Sequence, residues 1–245
     1  SVSTSSKLRL INKALPGIKV HYQPLRNYYS LDKVVMSSKF GAISMAYCKQ
    51  DLEKEVLVKV INLNNITSHL FLVIQELVFF SKVEHWNIWK ITSILYDDDK
   101  LYLIMDYSGY ISLNDYVMDK EGINEKEAVT IIHQLLDVVD YLNSLNICHR
   151  DFRPESILIN PDTLEIKLPN FEFATIYEEG KDLKDRLGSA YYMAPEILDG
   201  KYNKECDIWS IGAIAYFMLT GFPPFLGNNT KEIYIFKKCV KSAHT

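Results

Sequence analysis

The sequence predicts an α+β protein of two lobes, a small antiparallel sheet followed by a mainly helical region. β-rich runs broken by turns fill the first half. Apolar stripes at three-and-four spacing fill the second. The change between them falls near Asp106 to Gly109. In chain order, residues 1–27 are an N-terminal extension whose serine-rich start (Ser1, Ser3, Ser5, Ser6) reads as a loose leader. Residues 28–107 are the sheet lobe, with strands expected at Val34-Val35, Ile43 to Tyr47 and Val56 to Ile61. His69 to Phe80 is apolar at helical spacing. Ile91 to Leu95 and Leu101 to Met105 read as strands joined by Asp97-Asp98-Asp99, an acidic trio with no further ligand beside it and so a solvated turn. Residues 108–245 are the helical lobe. There Glu125 to Leu145 carries Ala128, Ile131, Ile132, Leu135, Leu136, Val138, Val139 and Leu142 in one broad stripe behind Asn124, a residue suited to N-capping. A ligand is expected in the cleft between two such lobes.

Bulk properties narrow the function classes. The 245 residues suffice for two lobes with separate cores. A net charge of -4 argues against nucleic acid or an anionic membrane as the main partner. The apolar run Ile211 to Leu219 is too short to span a bilayer, and no signal peptide opens the chain. Cys48, Cys148, Cys206 and Cys239 show no metal-ligand spacing and read as reduced thiols, which implies a cytoplasmic protein. Glycine supplies only 10 residues, roughly 4% against about 7% in an average chain.

Residues 149 to 158 read His-Arg-Asp-Phe-Arg-Pro-Glu-Ser-Ile-Leu. Asn170-Phe171-Glu172, Ala194-Pro195-Glu196 and Asp207-Ile208-Trp209-Ser210-Ile211-Gly212 follow in order. On these motifs the chain resembles the eukaryotic protein kinases over roughly residues 28 to 240. Leu187 to Leu198 and Leu219-Thr220-Gly221-Phe222-Pro223-Pro224-Phe225 resemble the calcium-dependent, calmodulin-like-domain branch. The resemblance implies a two-lobed kinase fold, with a helical lobe left incomplete because the chain stops soon after Phe225. It also implies a protein partner or protein substrate, and ATP and Mg²⁺ as cofactors, neither needed for folding. The EF-hand pattern of that branch is absent, so a calcium-binding domain would lie outside these residues.

Carried over residue by residue, the resemblance makes Asp151 the catalytic base and Lys59 the phosphate-holding lysine. Glu76 becomes the helix glutamate that holds Lys59, and Arg153 replaces the lysine that steadies the transferring phosphate. Gly41, Ile43, Asp106, Tyr107 and Leu158 fall at nucleotide-binding positions. The departures gather where Mg-ATP binds. The family's metal-ligand positions, Asn and Asp, are degenerate here as Ser156 and Asn170, and Glu172 replaces a glycine with a carboxylate that could serve as a substitute ligand. The glycine-rich loop reads Met36, Ser38 and Gly41 at its three positions, and Leu57 replaces an alanine that lies over adenine, so that Leu57, Ile43 and Leu158 could pack across the pocket. Ser112 stands where an acidic residue faces ribose or substrate, and Ser189 where a threonine supports the catalytic loop. Losing metal ligands removes charge that magnesium prefers. The expectation is a pseudokinase of the calcium-dependent Ser/Thr type, a regulatory or scaffolding module. The alternative is an active ATP-dependent Ser/Thr kinase with an atypical metal site.

Overall fold

The structure, a computed structural model, describes residues 4–15, 18, 20–38, 40–65, 69–107 and 109–243. It forms two compact units, one of Ser1–Ile111 with Asn170–Glu172 and one of Ser112–Pro169 with Phe173–Thr245. The units part a few residues beyond the 107/108 boundary drawn from sequence, and the three residues at 170–172 belong to the first.

The first unit is built on a six-stranded sheet. Its strands are β1 (Val20–His21), β2 (Tyr29–Ser38), β3 (Gly41–Cys48), β4 (Glu55–Asn62), β5 (Ile91–Asp97) and β6 (Lys100–Asp106), in the order β1-β5-β6-β4-β3-β2. All neighbours are antiparallel except β1, which runs parallel to β5. The β-branched and aliphatic residues of β4 alternate across its two faces, yet Val56, Leu57 and Val58 are all buried, so this central strand is covered on both sides. Gly41 lacks a side chain for a packing reason. A Cβ there would lie 1.7 Å from the carbonyl oxygen of Val60 on β4. The Asp97-Asp98-Asp99 trio makes the β5–β6 turn, with Asp98 and Asp99 at positive φ, and Asp99 accepts hydrogen bonds from Tyr96 and Asn64.

The N-terminal extension is not a loose leader. Thr4–Ala14 forms helix α1, which packs on α2 (Leu70–Lys82). Ile11 and Leu15 are buried, and the Lys7 ammonium donates to the Leu63 carbonyl at 2.7 Å. The serines drew attention from an apolar pair four residues apart, the spacing that puts side chains on one helical face. Ser1 and Ser3 lie outside the described residues, as does Ser108 at the expected lobe junction.

The second unit opens at the end of β7 (Ile111–Ser112) and continues with α3 (Leu113–Asp119) and α4 (Glu125–Ser144). Both helices start on a side-chain cap, Ser112 Oγ accepting from the Asp115 amide and Asn124 Oδ1 from the Glu127 amide. The α4 stripe buries Ala128, Ile131, Leu135, Val138, Val139 and Leu142, while Leu136 is exposed. The short strands β8 (Ile147–Cys148), β9 (Leu158–Ile159), β10 (Ile166–Lys167) and β11 (Thr175–Ile176) then form two small antiparallel pairings, β9 with β10 and β8 with β11. Helices α5 (Pro195–Asp199), α6 (Glu205–Thr220) and α7 (Thr230–Ala243) complete the unit, α6 packing on α4. No helix among the described residues is long and apolar enough to cross a membrane.

Replacing the fully buried Ile11 with alanine is expected to lower the stability measured by urea unfolding by about 2–5 kcal/mol. A loose leader would leave the transition unchanged.

Candidate functional site

Lys59 lies on β4 with its side chain wholly buried, an expensive place for a charge unless anions surround it. The sequence supplies them from two other segments. Helix α2 brings Glu76, also wholly buried, with Oε1 2.6 Å from Lys59 Nζ. Residues 170–172 bring Asn170 Oδ1 to 2.7 Å and Glu172 Oε1 to 3.1 Å. An ammonium has three protons to donate, and these three oxygens match that number. The Lys59–Glu76 pairing expected from sequence is therefore formed. Asn170, which stands at a degenerate metal position, accepts from the lysine.

From sequence, Glu172 reads as a carboxylate in place of a glycine and as a candidate substitute metal ligand. Its Oε1 also accepts from the Phe40 amide at 3.4 Å, a long bond from the turn between β2 and β3. That turn is where a nucleotide-binding kinase would offer backbone N–H groups to phosphate. One side-chain carboxylate thus touches the lysine and the turn together. The Phe171 amide donates to Glu76 Oε1 at 3.1 Å, and the Phe171 ring packs on Phe79 and Phe80, with the Phe80 ring edge-on at 5.3 Å. These contacts fix the short 170–172 segment to α2.

Two carboxylates share one ammonium, so the cluster holds one negative charge in excess. Burial opposes the Lys59 charge, but Glu76 and Glu172 outweigh it and push its pKa up. Burial pushes the Glu76 carboxyl up, helped by Glu172 and opposed by Lys59 and the Phe171 amide. Glu76 Oε2 has no hydrogen-bond partner among the described residues, which adds to the cost of its charge.

The other expected nucleotide positions in this unit make the following contacts within the protein. Ile43 pairs with Lys59 across β3 and β4 and is buried, as are Leu57 and Met36. The Asp106 carbonyl accepts from Trp89 Nε1 at 2.6 Å, and the Tyr107 hydroxyl donates to the Tyr110 carbonyl at 2.7 Å.

In the second unit, Asp151, Arg153 and Ser156 come together in the loop after β8. Asp151 is buried, and Arg153 Nε lies 3.4 Å from its Oδ1. The Ser156 hydroxyl is within donating distance of the carbonyls of Asp151 (2.9 Å) and Arg153 (3.0 Å), so its proton holds the loop's own backbone. Leu158 is buried on β9. The loop hangs from Asp207 on α6, whose two oxygens accept the amides of His149 and Arg150, both at 2.7 Å. The His149 ring lies against Phe152 with centroids 4.5 Å apart, and its Nδ1 accepts the Asp151 amide at 3.3 Å. Arg150, at positive φ, donates to the Phe173 carbonyl and reaches Asp185 and the Tyr202 hydroxyl.

Lys59→Met would leave Glu76 and Glu172 buried without their cation. The expected loss at pH 8 is about 3–5 kcal/mol. Burial holds the Glu76 carboxyl above the unfolded value of about 4.3, and removing Lys59 removes the charge that opposes this shift, so the two buried carboxyls favour their protonated forms. Their contribution is favourable below that value and is lost as pH rises, so the deficit should shrink on going from pH 8 to pH 5.5 in urea unfolding. An equal deficit at both pH values contradicts this.

Comparison with known proteins identifies the family. A profile of the protein kinase domain matches residues 29–243. Calcium-dependent protein kinase 4 of Plasmodium berghei is 34% identical over 230 residues, covering 91% of this chain and 43% of that protein. Calcium-dependent protein kinase 5 of Plasmodium falciparum is 33% identical over 219 residues, covering 88% and 38%. A probable myosin light chain kinase of Dictyostelium discoideum is 28% identical over 215 residues, covering 86% and 55%. The chain spans about half the length, or less, of these relatives. With a buried lysine–glutamate pair, a His-Arg-Asp loop hung from a helix aspartate and a domain match across most of its length, the chain belongs to the protein kinase family.

Proposed function

We propose that this domain is a pseudokinase of the calcium-dependent Ser/Thr type, serving as a regulatory or scaffolding module that acts on a protein partner without Mg-ATP. The observation that carries the reading is the saturation of Lys59 by Glu76, Asn170 and Glu172. A lysine with three acceptors has no proton left for a phosphate. Glu172 adds a negative charge where the nucleotide's own negative charge would have to sit, and like charges in a buried site repel strongly.

The metal positions support the same reading. Magnesium favours charged oxygen ligands. Asn170 is neutral and turned to Lys59, and Ser156 is neutral and bonded to backbone. The Glu172 carboxylate is already engaged, 3.1 Å from the Lys59 ammonium. These residues do not fit Mg-ATP as the family holds it. Retention of Asp151 and of the Lys59–Glu76 pair favours the alternative, an active ATP-dependent Ser/Thr kinase with an atypical metal site. The three acceptors on Lys59 weigh more, because phosphoryl transfer asks the protein mainly for positioning and charge neutralisation at the phosphates.

Thermal unfolding with ATP, alone and with Mg²⁺ or Mn²⁺, tests the proposal. A ligand at a hundred times its Kd stabilises by about 2.7 kcal/mol, roughly 5–10 °C for a domain of this size. No shift is expected in any condition. A shift that needs metal overturns the reading in favour of the active kinase. A metal-free shift replaces it with a nucleotide-responsive module. The combined variant Asn170→Asp, Ser156→Asn, Glu172→Gly and Leu57→Ala is expected to gain a metal-dependent shift.

A further inference from the structure

Two buried thiols flank the hydrogen bonds by which Asp207 holds the His149-Arg150-Asp151 loop. Cys148 ends β8 and Cys206 lies in the first turn of α6, and their Sγ atoms are 3.5 Å apart. Both are free thiols and neither is more than 1% exposed. Cys148 Sγ donates to Asp207 Oδ2 at 3.4 Å, and Cys206 Sγ lies 4.0 Å from Oδ1. The cysteines are 58 residues apart in sequence, so spacing gave no sign of the pair. Among the described residues, Cys148, Cys206 and Asp207 are also the group that could share a metal ion. A closed structural zinc site needs four ligands, however, and the oxygens of Asp207 already accept the His149 and Arg150 amides. A link between the two sulfurs needs no further ligand.

We propose that Cys148 and Cys206 form an oxidation site, at which a peroxide converts the dithiol into a disulfide joining the catalytic-loop segment to α6. One sulfur, as thiolate, attacks a peroxide oxygen. The O–O bond breaks, leaving a sulfenic acid on that cysteine and a hydroxide that takes up the thiol proton as water. The second sulfur attacks the sulfenic sulfur, the S–O bond breaks, and the hydroxyl leaves with the second thiol's proton as another water. Two thiols and one peroxide give one disulfide and two waters, with two electrons passing from sulfur to peroxide oxygen. A disulfide bond is about 2.05 Å long, so the sulfurs must approach by about 1.5 Å from their 3.5 Å separation.

The surroundings set the rate and the consequence. The contact with Cys206, burial and the charge of Asp207 all push the Cys148 thiol far above its ordinary pKa, so thiolate is scarce. The pair resists brief exposure and reacts under sustained peroxide, as local opening admits the reagent. Bond formation removes the thiol that donates to Asp207 and shifts the carboxylate on which the His149 and Arg150 amides depend.

The test is prolonged treatment of the intact chain with hydrogen peroxide under native conditions, then alkylation, proteolysis without reductant, and mass spectrometry. The expected product is a Cys148–Cys206 linked peptide lighter by two hydrogens and restored by dithiothreitol. Hydrogen exchange at the His149 and Arg150 amides should be faster in the oxidised chain than in the reduced one. Cys148 and Cys206 recovered as free thiols while exposed Cys239 oxidises would overturn the proposal. So would conversion of either buried cysteine to sulfinic acid without a link. Cys206→Ser should abolish the linked peptide, and the assignment on the unsubstituted chain stands whether or not that variant folds.

Discussion

A single buried ammonium sets the terms for the sheet-containing unit. Lys59 cannot be charged on the central strand β4 without oxygens around it, and every segment that supplies one is held in place for that reason. Helix α2 must present Glu76, and residues 170–172 must fold back onto the same unit to present Asn170 and Glu172. Packing of Phe171 on Phe79 and Phe80, and of α1 on α2, supports that geometry from behind. In a kinase that binds nucleotide, part of the countercharge to this lysine arrives with the phosphates. Here two carboxylates of the polypeptide, Glu76 and Glu172, lie against it.

The helical unit keeps its own tie. Asp207 accepts two amides of the His149-Arg150-Asp151 loop, and Arg150 reaches Phe173, Asp185 and Tyr202. These contacts shape the loop. The substitutions at 156, 170 and 172 fall on groups that meet metal or phosphate in the family, while the groups that bond backbone are kept.

Much of this was legible in sequence. The strands around Ile43 to Tyr47, Val56 to Ile61 and Leu101 to Met105, the α4 stripe and its Asn124 cap all appear where periodicity and capping chemistry put them. Lys59 and Glu76 were legible because motif order fixes both. The chemistry of Glu172 was not, because its meaning depends on two partners, Lys59 and the Phe40 amide, more than a hundred residues away. The Ser112 side chain read as a lost acid, whereas it caps α3. The extension was misread because Ile11 and Leu15 acquire their partners only once α1 lies on α2. Cys148 and Cys206 meet only through the folding of β8 beside the start of α6.

The central claim is that the Glu172 carboxylate occupies, on Lys59, the role of a nucleotide phosphate. Calorimetric titration of ATP into the unsubstituted chain and into Glu172→Gln, a change that removes the charge and keeps the volume, tests it most directly. Sequestration of Lys59 predicts no measurable binding by the unsubstituted chain and a gain of binding in the variant. ATP binding by the unsubstituted chain with the same Kd as the variant would contradict it.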